Sequence, residues 1–340
     1  MSKLVSIKEW LGKDAEPSKR RAVQVIKFIF ILCLFIGVFW VIPFTDVLQV
    51  IKSANAFLLI IGIGLGLPII YLNSVRLGML TRKQGLAITV NRLFVVNLMV
   101  KFYMLFLPGT LIGSGIRWAK ISPSGKSAES LAAVAFNRFI EIFLIIVTGI
   151  FWFVAGIGQE TINLPIIGFF FLSIVVFWLL FIKISIYFAK WFNTKPEINT
   201  KHAGWQIVWN YLRKTINSLS VYSELTVKEL FLLIGIGMLA YLVGLTSYSF
   251  IARSTGIDIS IFNLGWTRSA ILLAALAPIS IAGGLGVREV SLVVLMSLYG
   301  IEAEVALAFS ILLFARNFFL SLIGGVLELR EIINNRKAKK

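Results

Sequence analysis

The sequence has one cysteine, Cys33, and one histidine, His202, among its 340 residues. One cysteine cannot form a disulfide within the chain, and one cysteine and one histidine cannot supply the clustered ligands of a zinc site. Cys33 falls in the first apolar run, where we expect it to pack against lipid or another helix, and His202 falls in a basic loop. We therefore exclude a disulfide framework within the chain and expect neither a metal nor any other cofactor.

Acidic residues are also scarce, with 16 Asp and Glu against 33 Lys and Arg and a net charge of +17. The only acids deep in the apolar runs are Glu141 and Glu289, and each is near an arginine that would keep it ionised rather than tune it as a catalytic acid. No acidic pair is present to hold a metal-bound nucleotide sugar, and no Gly-x-Gly-x-x-Gly pattern is present to hold a nucleotide. We therefore predict no catalytic residues, with a membrane-embedded transferase as the alternative.

Apolar residues, in contrast, make up 58% of the chain, which includes 28 phenylalanines and has a mean hydropathy of +0.90. This apolar surface exceeds what a soluble core can bury, and several runs are long enough to span a bilayer as helices. The sequence therefore predicts an all-α polytopic membrane protein. Its basic residues lie mainly in loops and tails, where they fit orientation and anionic lipid head groups better than nucleic acid.

One stretch, residues 277–289, interrupts an apolar run with a proline, three glycines and a charge pair. These residues are Pro278, Gly283, Gly284, Gly286, Arg288 and Glu289. The apolar flanks, about 266–282 and 287–298, are each shorter than the roughly 20 residues of a spanning helix. We therefore predict a hairpin of two part-depth helices, because broken backbone is tolerated at membrane depth only when it is buried or lines a watery cavity.

A similar stretch occurs earlier, at residues 106–117. Its residues Pro108, Gly113, Gly115 and Arg117 correspond to the proline, the Gly-x-Gly and the arginine of the later stretch. The sequence Phe-Asn-Arg at 136–138 is loosely similar to Ala-Arg-Asn at 315–317. An internal duplication is the simplest explanation.

Charge distribution predicts the topology. Residues 1–24 and 329–340 are basic and are expected in the cytoplasm, as is the loop 191–227 with an amphipathic helix near 205–219. Between them we predict a single integral membrane domain, residues 25–328, with halves at 25–190 and 228–328 in the cytoplasmic membrane. The basic opening segment also argues against a cleavable signal peptide.

This domain is predicted to contain six spans and two re-entrant hairpins. The spans are about 25–41, 54–72, 131–153, 164–188, 230–251 and 305–327, and the hairpins are 93–121 and 264–298. A pair of short complete spans in place of the first hairpin would leave all later segments on the same side of the membrane. Because the two hairpins enter from opposite faces, the arrangement is typical of an inverted repeat with a site near the midplane.

Charges inside apolar runs are the best functional pointers, because each costs roughly 2.5–3.5 kcal/mol on insertion scales. They are Lys101, Arg117, Arg138, Glu141, Arg268, Arg288, Glu289 and Arg316. Arg117 and Arg288 each follow Gly-x-Gly at a helix start, where free amides and the helix dipole favour an anion. Arg138 and Glu141 have i, i+3 spacing and either brace one another or bind a ligand. We predict that an anionic group is bound by Arg117, Arg288, Glu289, Arg138, Glu141 and Arg316, and the family resemblance given below implies that this group is a lipid head group.

The pattern from Pro278 to Glu289, together with Asn137-Arg138-x-x-Glu141, resembles the transmembrane, flippase-like domain of the lysylphosphatidylglycerol synthase family. The resemblance implies movement of a lipid across the bilayer, and the lipid is either a phospholipid or an isoprenoid-linked saccharide. Some members carry a fused cytosolic aminoacyl-transfer domain, for which this chain has no room. The partner that the resemblance suggests is a cytosolic or membrane transferase. A further alternative for the function is a non-catalytic membrane subunit that anchors a cytosolic enzyme through loop 195–214.

The topology predicts that positions 201 and 340 face the cytoplasm and that Asp258 faces outward. Single cysteines at these positions, in a Cys33→Ala background, should react accordingly with an impermeant maleimide added to intact cells. Labelling of Lys201→Cys from outside would contradict the hairpins and the inverted repeat.

Overall fold

A computed structural model describes residues 44–105, 110–122, 125–157, 164–194, 203–276 and 286–337. Within these ranges the chain forms twelve α-helices and one 3-10 helix, and no β-strand. The helices are α1 (Phe44–Ser53), α2 (Ala56–Gly64), α3 (Gly66–Lys83), α4 (Val90–Met104), α5 (Thr110–Ile121), α6 (Ser127–Ile157), α7 (Leu164–Thr194), α8 (Ala203–Ser220), the 3-10 helix (Val221–Glu224), α9 (Val227–Ser254), α10 (Ile261–Ala274), α11 (Val287–Ser297) and α12 (Ala303–Lys337).

Four stretches are long and apolar enough to cross a membrane: Ala56–Lys83, Ser127–Gly156, Val227–Ser254 and Ala303–Asn334. They confirm the predicted all-α polytopic membrane fold. The first of them continues beyond residue 72, where the span was predicted to end, and the added part of the helix contains polar residues. The predicted span at 164–188 falls inside α7, whereas the predicted first span and both Cys33 and His202 lie outside the described residues.

The four helices that fall in the two predicted hairpins are much shorter than these spans. Helices α4, α5, α10 and α11 have 15, 12, 14 and 11 residues, which corresponds to roughly 16 to 22 Å at 1.5 Å per residue. Each is shorter than the hydrocarbon core of about 30 Å. These lengths fit part-depth helices, and the re-entrant arrangement stays a prediction.

The predicted hairpin breaks need one correction. Gly113 and Gly115 lie inside α5 and do not form the break. A Cβ on Gly113 would come within 2.7 Å of Met104 Sδ, so this glycine serves the packing of α5 on α4. Gly286 precedes α11 with φ of +88°, a conformation that glycine adopts readily. Pro108, Pro278, Gly283 and Gly284 lie outside the described residues.

The first short helix of each predicted hairpin packs along a long helix of the other half of the chain. Helix α4 lies along α12, and α10 lies along α6. The α4–α12 approach depends on Gly324, where a Cβ would lie 2.0 Å from the carbonyl oxygen of Leu98. At the α6–α10 contact a Cβ on Gly149 would lie 2.8 Å from Ser269 Cβ. Glycine therefore permits close helix contact at both interfaces.

The amphipathic helix predicted near 205–219 is present as α8, which packs against α6 and α7. The 3-10 helix that follows is fixed by Tyr222, whose buried ring stacks on Phe136 with centroids 4.3 Å apart. Its hydroxyl donates a hydrogen bond of 3.1 Å to the carbonyl of Leu80 at the end of α3. The segment between the two halves is therefore packed onto the helix bundle.

Candidate functional site: a cationic cavity between the two halves

A cavity of about 360 Å³ lies among α3–α6 of the first half and α9–α12 of the second. Among the described residues, seven basic side chains and one acidic side chain line it. They are Arg76, Lys101, Arg117, Arg138, Arg268, Arg288, Arg316 and Glu141. The volume is within the roughly 300–1,000 Å³ typical of small-molecule sites. The lining has a large excess of positive charge in a place where charge is costly.

In the first half, amide side chains orient two of the arginines. Arg76 is 2% exposed, and its Nε donates a 2.9 Å hydrogen bond to Asn137 Oδ1. Arg117 Nε donates a 2.7 Å hydrogen bond to Asn97 Oδ1, and Asn97 Nδ2 in turn donates to Ser74 Oγ at 2.7 Å. Because an amide oxygen fixes a guanidinium without neutralising it, Arg76 and Arg117 keep their charge for a ligand.

Among the described arginines of the first half that line the cavity, Arg138 is the one that forms a salt bridge with a carboxylate. Its Nη1 donates to Glu141 Oε2 at 2.7 Å, with the i, i+3 spacing predicted from the sequence. Glu141 also interacts electrostatically with Arg76 and Arg117. One carboxylate therefore serves three guanidinium groups, which leaves this part of the cavity positively charged.

In the second half, aromatic rings replace the amides. The guanidinium carbon of Arg268 lies 4.4 Å from the ring centroid of Tyr241 and 5.2 Å from that of Tyr248. Arg316 approaches the same Tyr248 ring at 5.4 Å. Gly244 makes room for this arrangement, because a Cβ there would lie 2.3 Å from Arg268 Nη2. The faces of aromatic rings attract cations, but they carry no net charge and form no ion pair.

Several nitrogens of these arginines have no hydrogen-bond partner among the described residues. Nε and Nη1 of Arg268 are buried and unpartnered, as is the Nε of Arg288 and of Arg316. Arg316 makes a single described hydrogen bond, from Nη1 to Ser247 Oγ at 2.8 Å. Buried donors without acceptors cost free energy, which an anionic ligand with several oxygens would recover.

Glu289 differs from the other predicted ligands because protein groups saturate its carboxylate. It accepts hydrogen bonds from Arg288, from the Gly286 amide at 2.6 Å and from Ser310 Oγ at 3.3 Å. The Arg288 and Glu289 side chains are 5% and 4% exposed. Arg288 reaches the cavity, whereas Glu289 is not among the residues that line it. This geometry makes Glu289 a brace that fixes the start of α11.

Lys101 occupies a central place in the electrostatics of the cavity. It interacts with Arg117 and Glu141 of the first half and with Arg288 and Arg316 of the second. Within the part of the chain that the structure describes, its ammonium makes no hydrogen bond and no salt bridge. Lys101 is therefore a lining cation without an ionic partner among the described residues, and arginines of both halves are near enough to affect its charge.

The structure brings five of the six predicted ligands to one cavity and sets Glu289 beside it, but their binding role stays a prediction. Sequence reasoning missed Arg76, because the second span was predicted to end at residue 72. Asn73 and Arg76 both line the cavity, and their i, i+3 spacing places them on one face of a helix. This spacing is the sequence signal that the helix continues beyond residue 72. It also missed Tyr241 and Tyr248, since tyrosines in an apolar run usually indicate packing.

Fold and cavity together define an integral membrane protein with a polar, cationic cavity enclosed by part-depth and spanning helices. Residues 24–325 match the family model described as the lysylphosphatidylglycerol synthase TM region, and the chain belongs to this family. The match confirms the resemblance inferred from the sequence and relates the protein to the handling of lipid head groups. Neither a search of curated proteins nor a search of solved structures gave a match.

If Glu289 is a brace, Glu289→Gln should strongly destabilise the protein, because it leaves Arg288 buried without a carboxylate. Removal of one partner of a buried ion pair costs about 3–5 kcal/mol. Asp258→Asn is the matched control, since its carboxylate is exposed and the change should stay within about 0.5 kcal/mol. Thermal unfolding of purified protein in detergent measures both. Equal stability of the two variants would contradict the bracing role.

Proposed function

We propose that this protein is a lipid translocase whose central cavity binds the anionic head group of a lipid during its passage across the cytoplasmic membrane. The observation that carries the proposal is the charge of the cavity lining. Among the described residues, six arginines and one lysine line the cavity, together with a single carboxylate. Family membership supports it, because the family is related to lipid head-group handling.

Charge at membrane depth explains why a lipid anion is the favoured ligand. Each buried cation must find a counter-charge or water, and Arg76 and Arg268 are 2% and 8% exposed. A phosphate offers several oxygens to guanidinium forks in bidentate geometry. Apolar side chains such as Ile69 and Leu272 also line the cavity, and they suit the glycerol or isoprenyl portion next to a phosphate.

We further propose that the two halves are an inverted repeat that opens the cavity alternately to each face. The reciprocal packing of α4 on α12 and of α10 on α6 supports this relation. One constant separation along the chain relates three pairs of residues: Arg117 and Arg288, Asn97 and Arg268, and Gly66 and Gly237. Transporters with inverted repeats bind substrate at the midplane and rock one half against the other.

The orientation belongs to the same proposal. Basic termini and the basic connecting segment favour the cytoplasmic side. A transferase that makes or consumes the lipid on that side is the expected partner. The cavity itself offers little for catalysis, because its one lining carboxylate, Glu141, is paired with Arg138.

Reconstitution in liposomes with head-group-labelled phospholipids tests the proposal. Arg117→Gln should reduce the rate of translocation about tenfold or more, since a charge-assisted hydrogen bond is worth about 1.5–3 kcal/mol. Arg117→Lys should restore only part of the rate, because lysine lacks the guanidinium fork. Arg253→Gln is the matched control, since Arg253 is exposed at the end of α9 and its loss should leave the rate unchanged.

Wild-type protein that fails to move any anionic lipid, in liposomes where it is folded, would overturn the proposal. The same holds if Arg117→Gln and Arg253→Gln have equal effects on the rate.

A further inference from the structure

The geometry of the cavity points to a head group with two phosphates, one held by each of two arginine clusters, with Lys101 between them. We define the first cluster as Arg76, Arg117 and Arg138 and the second cluster as Arg268, Arg288 and Arg316. This inference rests on the proposed function, because it names the class of lipid that the same cavity binds.

Contacts and chain position group the arginines into these two clusters. Asparagines hold Arg76 and Arg117, and Asn137, which binds Arg76, directly precedes Arg138. Arg268 and Arg316 share the ring of Tyr248, at 5.2 and 5.4 Å from its centroid. Arg288 lies 5.8 Å from the ring centroid of Phe314, two residues before Arg316. The first cluster comes from α3, α5 and α6, and the second from α10, α11 and α12, so each half of the chain supplies three guanidinium groups.

Lys101 joins the two clusters. Its charge interacts with Arg117 on one side and with Arg288 and Arg316 on the other. It has no carboxylate of its own within 4 Å among the described residues. A cation that faces two like-charged clusters is destabilised by both, and an anion that extends between them would remove this repulsion.

The charge count favours two phosphates over one. In each cluster three arginines face one carboxylate, Glu141 in the first and Glu289 in the second. Each cluster therefore keeps two net positive charges, and Lys101 adds a further one. A single phosphodiester supplies only one negative charge, whereas a terminal phosphate carries about −1.5 to −2 at neutral pH. A cationic aminoacyl head group would add to the repulsion.

Both clusters also contain the hydrogen-bond donors that a phosphate requires. In the first cluster the Nε atoms of Arg76 and Arg117 are fixed by asparagines, so their terminal amino groups are preoriented. In the second, buried nitrogens of Arg268, Arg288 and Arg316 have no acceptor among the described residues. The first cluster therefore has preoriented donors and the second has buried donors without an acceptor, and one phosphate at each cluster would accept from them.

Lipid binding to the purified full-length protein tests this inference with two matched pairs. Farnesyl diphosphate and farnesyl monophosphate share a tail and differ by one phosphate. Cardiolipin differs from phosphatidylglycerol by a second phosphatidyl group on the same glycerol, so it adds a phosphate through a glycerol bridge together with two acyl chains. We expect the two-phosphate member of at least one pair to bind about tenfold more tightly or better. The pair that shows the preference reveals whether the phosphates are joined directly or through a bridge. Inorganic pyrophosphate should bind more weakly than the lipid, and equal affinity would overturn a lipid ligand.

Variants test the role of the second cluster and of Lys101. Arg316→Gln should weaken binding of the two-phosphate lipid more than binding of the one-phosphate lipid, so that the ratio of the two affinities falls. Lys101→Gln should weaken only the two-phosphate preference, and Lys101→Arg should retain it. Thermal stability is followed for each variant, with Arg253→Gln as the surface control.

The result that overturns the inference is equal affinity for the two members of both pairs, or tighter binding of lysylphosphatidylglycerol than of phosphatidylglycerol. Either result leaves the proposed function intact, because an anionic or aminoacylated lipid still binds the cavity. Absence of binding for every lipid would overturn the proposed function itself. If Arg316→Gln does not fold, the Lys101 variants alone carry the test.

Discussion

The structure depends on one constraint, which is the burial of many cations at membrane depth with few anions to balance them. The seven basic side chains of the cavity face a single lining carboxylate, Glu141. The surrounding residues reduce the cost of this imbalance in different ways: Asn97 and Asn137 hold guanidinium groups with amide oxygens, and Tyr241 offers Arg268 its ring face. None of these residues neutralises charge. The cavity therefore keeps a net positive charge, which supports the anion binding proposed above.

The helical architecture creates this cavity at the contact between the two halves. Because α4 lies along α12 and α10 lies along α6, side chains of both halves point to a shared interior. Gly324 brings α4 and α12 into backbone contact, and Glu289 pins the start of α11 so that Arg288 faces the cavity. A positive region built from two groups of helices can change its exposure when the halves move against each other, which is what a translocase requires.

Sequence reasoning predicted the membrane class, the helical fold and most of the cavity arginines, because a charge in an apolar run has few structural explanations. Arg117 and Arg288 were predicted from their place after Gly-x-Gly. Arg76 was missed because the predicted span ended before the polar residue that follows the apolar run. A hydropathy pattern does not show that a helix continues when its next residues are polar and line a cavity. Glu289 was predicted as a ligand, but only three-dimensional structure reveals that Ser310 and the Gly286 amide saturate it. Tyr248 had no sequence signal that separates a cation-binding ring from a packed one.

The most direct test of the account is a cryo-EM structure of the protein in nanodiscs that contain anionic phospholipid. The account predicts phosphate density inside the cavity, within hydrogen-bond distance of a first-cluster arginine such as Arg117 and a second-cluster arginine such as Arg316. Density for anionic head groups only at the membrane surface, with the cavity arginines paired to protein carboxylates instead, would contradict it.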